Sequence, residues 1–201
     1  ILNPDAIIQP GTLNNFLLSA QKLQDFSIMG PAKQDEYNKT NIHKNKNDIF
    51  EVDKVKGFAM FLNLNQFKDI GYFDDNFFIY LEETDLCKRL KDGRKKIYLN
   101  KGLLIEHSGG SSHNRSINFE MELSRNWHWM WSKFYFNKKH YGYLFALLAV
   151  SGNFISSILK YLFYSLTFNK RKKKIYLQRF SGLINSILGK KSWYRPNIII
   201  N

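Results

Sequence analysis

The chain reads as an α/β domain followed by a basic helical extension, and three observations predict this. Short apolar runs alternate with turn signals and amphipathic stretches through residues 1–118. From Phe119 onward the pattern becomes helical and aromatic. The positive charge also sits almost wholly in that second part: residues 1–118 hold 16 Lys and Arg against 15 Asp and Glu, whereas residues 119–201 hold 14 against Glu120 and Glu122 alone. An even-handed front and a basic back suggest two functional parts, 1–118 and 119–201, the second meeting something anionic.

Composition narrows the classes further. Hydrophobic residues make up 44% and aromatics 16% of the 201 residues, enough to bury a core, which excludes wholesale disorder. A single cysteine, Cys87, excludes a disulfide-stapled scaffold and fits a reducing compartment. The first residue is Ile1 and no basic-then-apolar leader follows, so the sequence reads as a piece of a longer chain.

Taken in order, Ile1-Leu2 reads as a strand end running into Asn3-Pro4-Asp5. Pro10-Gly11-Thr12 predicts a helix start with Thr12 as N-cap and Leu13, Phe16, Leu17 and Ala20 buried. Phe26 to Gly30 is a short strand, residues 33–50 a polar surface loop, and Val55 to Leu64 an apolar run able to hold a strand. Gly71-Tyr72-Phe73-Asp74 reads as a turn, with Phe77-Phe78 as an aromatic anchor.

Glu82 to Lys91 then reads as a helix with Leu86 and Leu90 buried, acids in its first turn, bases near its end and Gly93 closing it. Ile97–Leu99 and Leu103–Ile105 read as strands, the second leading through Glu106-His107 into a Gly/Ser-rich turn that includes Gly109, Gly110 and Ser111. Beyond Phe119, Tyr143 to Val150 is apolar all round. Asn153, Ser156, Ser157, Lys160, Tyr164 and Thr167 then recur opposite Ile155, Ile158, Leu159, Leu162 and Leu166, and the run Lys170-Arg171-Lys172-Lys173-Lys174 follows.

Four fragments stand together in order: Leu2-Asn3-Pro4-Asp5, Gly71-Tyr72-Phe73-Asp74-Asp75-Asn76-Phe77-Phe78, Glu82-Glu83-Thr84-Asp85-Leu86-Cys87-Lys88-Arg89-Leu90 with Gly93, and His107 before Gly109-Gly110-Ser111. Jointly they resemble the family-2 glycosyltransferases of GT-A (Rossmann-like) fold, particularly the rhamnosyltransferase-like branch. The resemblance covers residues 1–118. It implies a partial GT-A domain, the acceptor-side half, with a nucleotide-binding half lying upstream of the Asn-Pro-Asp element.

It also implies the chemistry: inverting transfer of a sugar, rhamnose in that branch, from a nucleotide-diphospho-sugar donor to a glycan or lipid-linked acceptor in cell-surface polysaccharide biosynthesis. Transfer leaves a diphosphate bearing extra negative charge, which a divalent cation can stabilise. Asp5 matches the family's metal-binding aspartate, Asn3 takes the place of the first acid of that motif, and His107 matches a histidine completing the metal or diphosphate site in some members. One carboxylate and one imidazole suit Mn²⁺ or Mg²⁺, the nitrogen favouring manganese. The family draws its general base from an acidic pair at a helix start. Here that pair is Glu82-Glu83, with Glu83 in the base position where Asp is usual and Asp85 as the fallback.

Simpler readings stand beside these. Acids in a first helical turn stabilise the dipole, and Asp85 can pair with Arg89 at i,i+4. His107 can be a hydrogen-bonded structural histidine, Asn3-Pro4-Asp5 an ordinary turn, and Cys87 a small buried residue. Trp127, Trp129, Trp131 and His128 read first as packing and second as an acceptor surface.

The rival function is a non-catalytic basic module binding nucleic acid or membrane. Against nucleic acid stand the confinement of charge to the tail and the acidic cluster in the front half. Residues 141–159 carry no charge but several polar positions, marginal for a membrane span. The tail is expected on an anionic membrane surface, which places the protein in the cytoplasm, peripheral on the inner face of the cell membrane.

Overall fold

A computed structural model of the chain describes residues 1–32, 48–107 and 117–197. Most of the predicted polar loop, at 33–47, and the whole Gly109-Gly110-Ser111 turn lie outside the described residues. The fold is mixed α/β. Its described residues fall into two compact units, one within Ile1–Phe73 and Glu83–Ser112, the other within Asp74–Glu82 and His113–Asn201.

The first unit contains β1 (Ala6–Ile8), α1 (Thr12–Lys22), β2 (Phe26–Pro31), β3 (Ile49–Glu51), β4 (Phe61–Leu62), a 3-10 turn at Leu64–Phe67, all but the first residue of α2 (Glu82–Asp92), β5 (Lys96–Asn100) and β6 (Ile105–His107). Four strands form a sheet in the order β3-β5-β2-β4, and β1 pairs with β6 in a separate ribbon. The central pair β2–β5 is parallel and both edges are antiparallel. Central parallel strands are covered on both faces, and every residue of β2 is buried. The side chains of β2 feed two cores: Ile28 joins Met60, Phe67, Leu86, Leu90 and Ile97, whereas Met29 on the opposite face, and Phe26 across a register shift between Phe26 and Ile28, join Tyr98 and Leu103.

The run Val55–Leu64 does hold a strand, short at Phe61–Leu62, with Ala59 in a single bridge to Leu2. Other expectations need correction. Ile49 and Phe50, read as the end of the polar loop, belong to β3, and Phe50 is buried. Thr12 is the first residue of α1 rather than its cap, which is Gly11 at φ 82°. The Thr12 hydroxyl instead donates to Leu104 O at 2.9 Å and accepts from Leu104 N–H at 3.2 Å. That exchange turns the Thr12–Phe16–Ser19 face inward, so Leu13 and Leu17 are exposed rather than buried.

Gly93 does not supply the left-handed residue that ends α2; Arg94 does, at φ 57°. Arg94 N–H donates to Lys91 O and Lys95 N–H to Leu90 O, the paired bonds of a Schellman turn. A Cβ on Gly93 would stand 2.7 Å from Ile70 Cδ1, the end of a side chain that can move aside.

The second unit is built on α3 (Asn118–Tyr141), α4 (Tyr143–Leu166) and α5 (Lys170–Ile187), packed pairwise. Its core holds Met130, Phe134, Ala146, Val150 and Leu183. Segment 74–82 packs here, not with the sheet: Phe77 is buried edge-on against Trp131 and Tyr135, and Ser132 Oγ donates to Ile79 O at 2.9 Å. Burial alone would raise the Asp74 carboxyl, but hydrogen bonds from Lys139, Asn76 and Tyr135 hold it down at about 2.

Trp127 and Trp131 are buried, their indole N–H groups donating to Ser181 Oγ at 3.2 Å and Lys190 O at 2.9 Å. Trp129 is more exposed and meets Tyr80 edge-on. The tryptophans therefore serve chiefly as packing.

His128 is fully buried and its Nε2 donates to Tyr194 O at 2.8 Å. Burial, with Arg195 nearby, pushes its pKa down from 6.5 to about 4. Between those values the unfolded chain binds a proton that the folded chain refuses, so stability falls as pH drops from 6.5 towards 4. The expected loss is about 3 kcal/mol at most. Urea midpoints at pH 7 and 4.5 should show it, and His128→Gln should flatten that slope. Equal slopes in the two proteins would assign the pH dependence to other groups.

Candidate functional site

The site forms around the backbone of residues 57–60 in the first unit. Ile1 to Asn3 lies along this segment: Met60 N–H donates to Ile1 O at 3.0 Å, Leu2 bridges Ala59, and Asn3 N–H donates to Phe58 O at 2.8 Å. Asp5 follows, immediately before β1. The antiparallel ribbon sets Ala6 opposite His107, and its register is held from outside by Thr12 on Leu104 and by Gln9 N–H donating to Leu104 O at 3.0 Å. Consequently Asp5 Oδ1 and His107 Nε2 lie 3.1 Å apart, although 102 positions separate them in sequence. Both side chains are mostly buried.

Phe58 stacks on the His107 ring, centroids 4.8 Å apart and planes within 13°. On the other side, Gly57 lies under Glu83: a Cβ at Gly57 would be 3.4 Å from both Cβ and Cγ of Glu83. Thus Asn3, Asp5, His107 and Glu83 gather about the dipeptide Gly57-Phe58. Sequence reasoning noted Gly57 only as a glycine near the start of an apolar run and gave neither it nor Phe58 a place in the site. The one available signal was a glycine inside an apolar run, which marks close approach of another chain segment.

The acidic residues that open α2 have distinct surroundings. Tyr80 and Leu81 both adopt left-handed backbone, φ 69° and 66°, which costs non-glycine residues about 1–2 kcal/mol each. This double turn delivers the chain into the helix at Glu82. Burial raises the Tyr80 phenol pKa, with Arg125 opposing and Glu82 adding to the rise. Glu83 is half-buried and accepts from the Thr84 hydroxyl at 3.3 Å.

Asp85 is fully buried and accepts from Arg89 Nε at 2.9 Å, the i,i+4 pair its spacing anticipates. The same guanidinium donates to the carbonyls of Ile70 and Tyr72, so the pair ties α2 to the turn after the 3-10 segment. Cys87 is buried in the core beside it, and burial pushes its thiol up to about 11. It is a packing residue. A more open groove of about 420 Å³ lies at the start of α1, lined by Ile8, Gln9, Pro10, Gly11, Leu13 and Asn14. None of the site residues lines it.

Asp5 Oδ1 and His107 Nε2, 3.1 Å apart, are hydrogen-bonded to each other, which is the structural-histidine arrangement. The same separation is close to the roughly 3.0 Å between neighbouring octahedral donors on a divalent ion, so an ion would have to displace that hydrogen bond to use both atoms. Among the described residues no cluster of three His, Cys, Asp or Glu side chains surrounds such a position. Compared with family models, curated protein sequences and solved structures, the chain matches none, so its functional reading rests on its own residues and their geometry.

Proposed function

We propose that this chain supplies the leaving-group and acceptor-side residues of an inverting glycosyltransferase of GT-A type. Its donor is a nucleotide-diphospho-sugar, rhamnose being the sugar in the branch it resembles, and its acceptor a glycan or lipid-linked acceptor in cell-surface polysaccharide biosynthesis. The observation that carries the reading is that His107, bonded to Asp5, stacks on Phe58 while Glu83 lies against the neighbouring Gly57, with His107, Asp5 and Glu83 drawn from three separate sequence motifs.

In this reading Asp5 and His107 would hold Mn²⁺ or Mg²⁺, with Asn3 beside them towards the donor. A bound ion supplies positive charge to the diphosphate as it departs. Phe58 fixes the His107 ring by stacking, so its Nε2 stays aimed at Asp5. Glu83 takes the proton from the acceptor hydroxyl as that oxygen attacks the anomeric carbon. The new glycosidic C–O bond forms on the face opposite the diphosphate, whose own bond to that carbon breaks, and the configuration inverts. Glu82 assists by orienting the acceptor. Asp85, buried against Arg89, keeps α2 in place rather than taking the proton.

Titration of the 201-residue chain with Mn²⁺ tests the ion site without an activity assay. Asp5→Ala should abolish binding, and His107→Ala should weaken it by at least about tenfold, since even outer-shell losses cost that much. Mn²⁺ binding unchanged in Asp5→Ala, or full sugar transfer in excess chelator, would remove the metal role.

A further inference from the structure

Helix α4 is turned inside out for a helix in water. Three of its polar residues face the other helices: Ser157 is 2% exposed, Asn153 Oδ1 accepts from Lys133 Nζ at 2.6 Å, and Tyr164 stacks on Tyr176. Its outward face is apolar, with Leu144, Leu148, Ile155, Leu159, Leu162 and Leu166 between 52% and 79% exposed. At 100° per residue these six fall within an arc of about 60°, and they run about 33 Å along the helix. Exposed Ser151 and Gly152 interrupt the row between Leu148 and Ile155, yet so many exposed large apolar side chains on one helix face mark a contact surface.

What covers this stripe is indicated by charge. The only ionisable side chain of α4 apart from its tyrosines is Lys160, and α5 opens directly beyond it with Lys170-Arg171-Lys172-Lys173-Lys174. Residues 119–201 carry 14 cations against two acids. A second copy would bring like charge to like charge; an anionic bilayer brings the complement.

The packing also decides how the helix meets the bilayer. Although α4 is long and apolar enough to cross, its inner face is tied to Lys133 of α3 and, through Tyr176, to Arg179 of α5. Crossing would drag these cations and the start of α5 into hydrocarbon, at roughly a hundredfold cost in insertion per charge.

We infer that α4 lies in the plane of one leaflet of an anionic membrane. Its Leu144–Leu166 stripe sinks below the headgroups and the cations of α5 rest among them. None of these residues belongs to the transferase site, so the inference stands apart from that reading.

The test is co-sedimentation of the whole chain with phosphatidylcholine vesicles, with and without one third phosphatidylglycerol. Partition should rise steeply with the anionic lipid, since each cation near such a surface contributes about fivefold, and it should fall in high salt. Leu148→Glu with Leu159→Glu, both at exposed positions that leave the helical circular dichroism unchanged, should reduce partition by at least about tenfold. Alkaline carbonate should release the bound protein. Pelleting that resists carbonate would establish a span and overturn the in-plane placement. Failure to bind anionic vesicles, or a dimer of the free chain that the double variant dissociates, would overturn the membrane assignment.

Discussion

On the base assignment proposed above, replacing Glu83 by Gln should lower turnover by about 10²–10⁴-fold, the range a positioned general base contributes, while leaving donor and Mn²⁺ binding nearly intact. The amide keeps the shape of the side chain over Gly57 and its contact with Thr84 but cannot accept the acceptor's proton. Glu83→Asp should retain most activity, since it restores the acid usual at this position in the family the chain resembles. Asp85→Asn serves as the contrast: its loss should appear as instability, because the substitution weakens the ion pair between fully buried Asp85 and partly buried Arg89. The measurement is steady-state transfer by the enzyme containing this chain, with urea unfolding run in parallel. Wild-type turnover in Glu83→Gln, beside a folded but inactive Asp85→Asn, would move the base to Asp85.

A second large effect is expected at Gly182, in the middle of α5. A Cβ there would stand 2.2 Å from Trp127 O and 2.9 Å from its carbonyl carbon. The obstacle is backbone rather than a flexible side chain, so α3 and α5 must part. With that separation go the Trp127 contact with Ser181 and the 2.9 Å bond from Ser186 Oγ to Trp131 O. Gly182→Ala should therefore destabilise the helical unit by about 3 kcal/mol or more, despite alanine's better helix propensity. Gly152→Ala isolates the propensity effect: nothing lies within 4 Å of its Cβ position in α4, and it should stabilise by about 0.5–1 kcal/mol. Urea midpoints of the two variants should move in opposite directions. Equal shifts would show that the α3–α5 approach is not what requires glycine.

The features legible in the sequence are those written within a few positions of one another. The helix from Glu82, its buried Leu86 and Leu90, the Asp85–Arg89 pair and the basic last turn all follow from spacings of three or four residues. The split between an α/β front and a helical back is equally local, carried by periodicity and by charge. Even the two faces of α4 can be read from its pattern.

What the sequence by itself did not determine is which of those faces turns inward, and where distant segments meet. Tertiary packing alone set Asn153 and Ser157 against the neighbouring helices and left the leucines outside. It alone assigned Phe77 and its neighbours in 74–82 to the helical unit, and turned Leu13 and Leu17 out to solvent. Above all, it joined Asp5 to His107 across 102 residues and laid Glu83 over Gly57. That meeting depends on the register of β1 against β6, which Thr12 fixes by exchanging hydrogen bonds with Leu104. A register is a choice among pairings that differ by one residue, and strands of three residues carry too little pattern to make that choice locally.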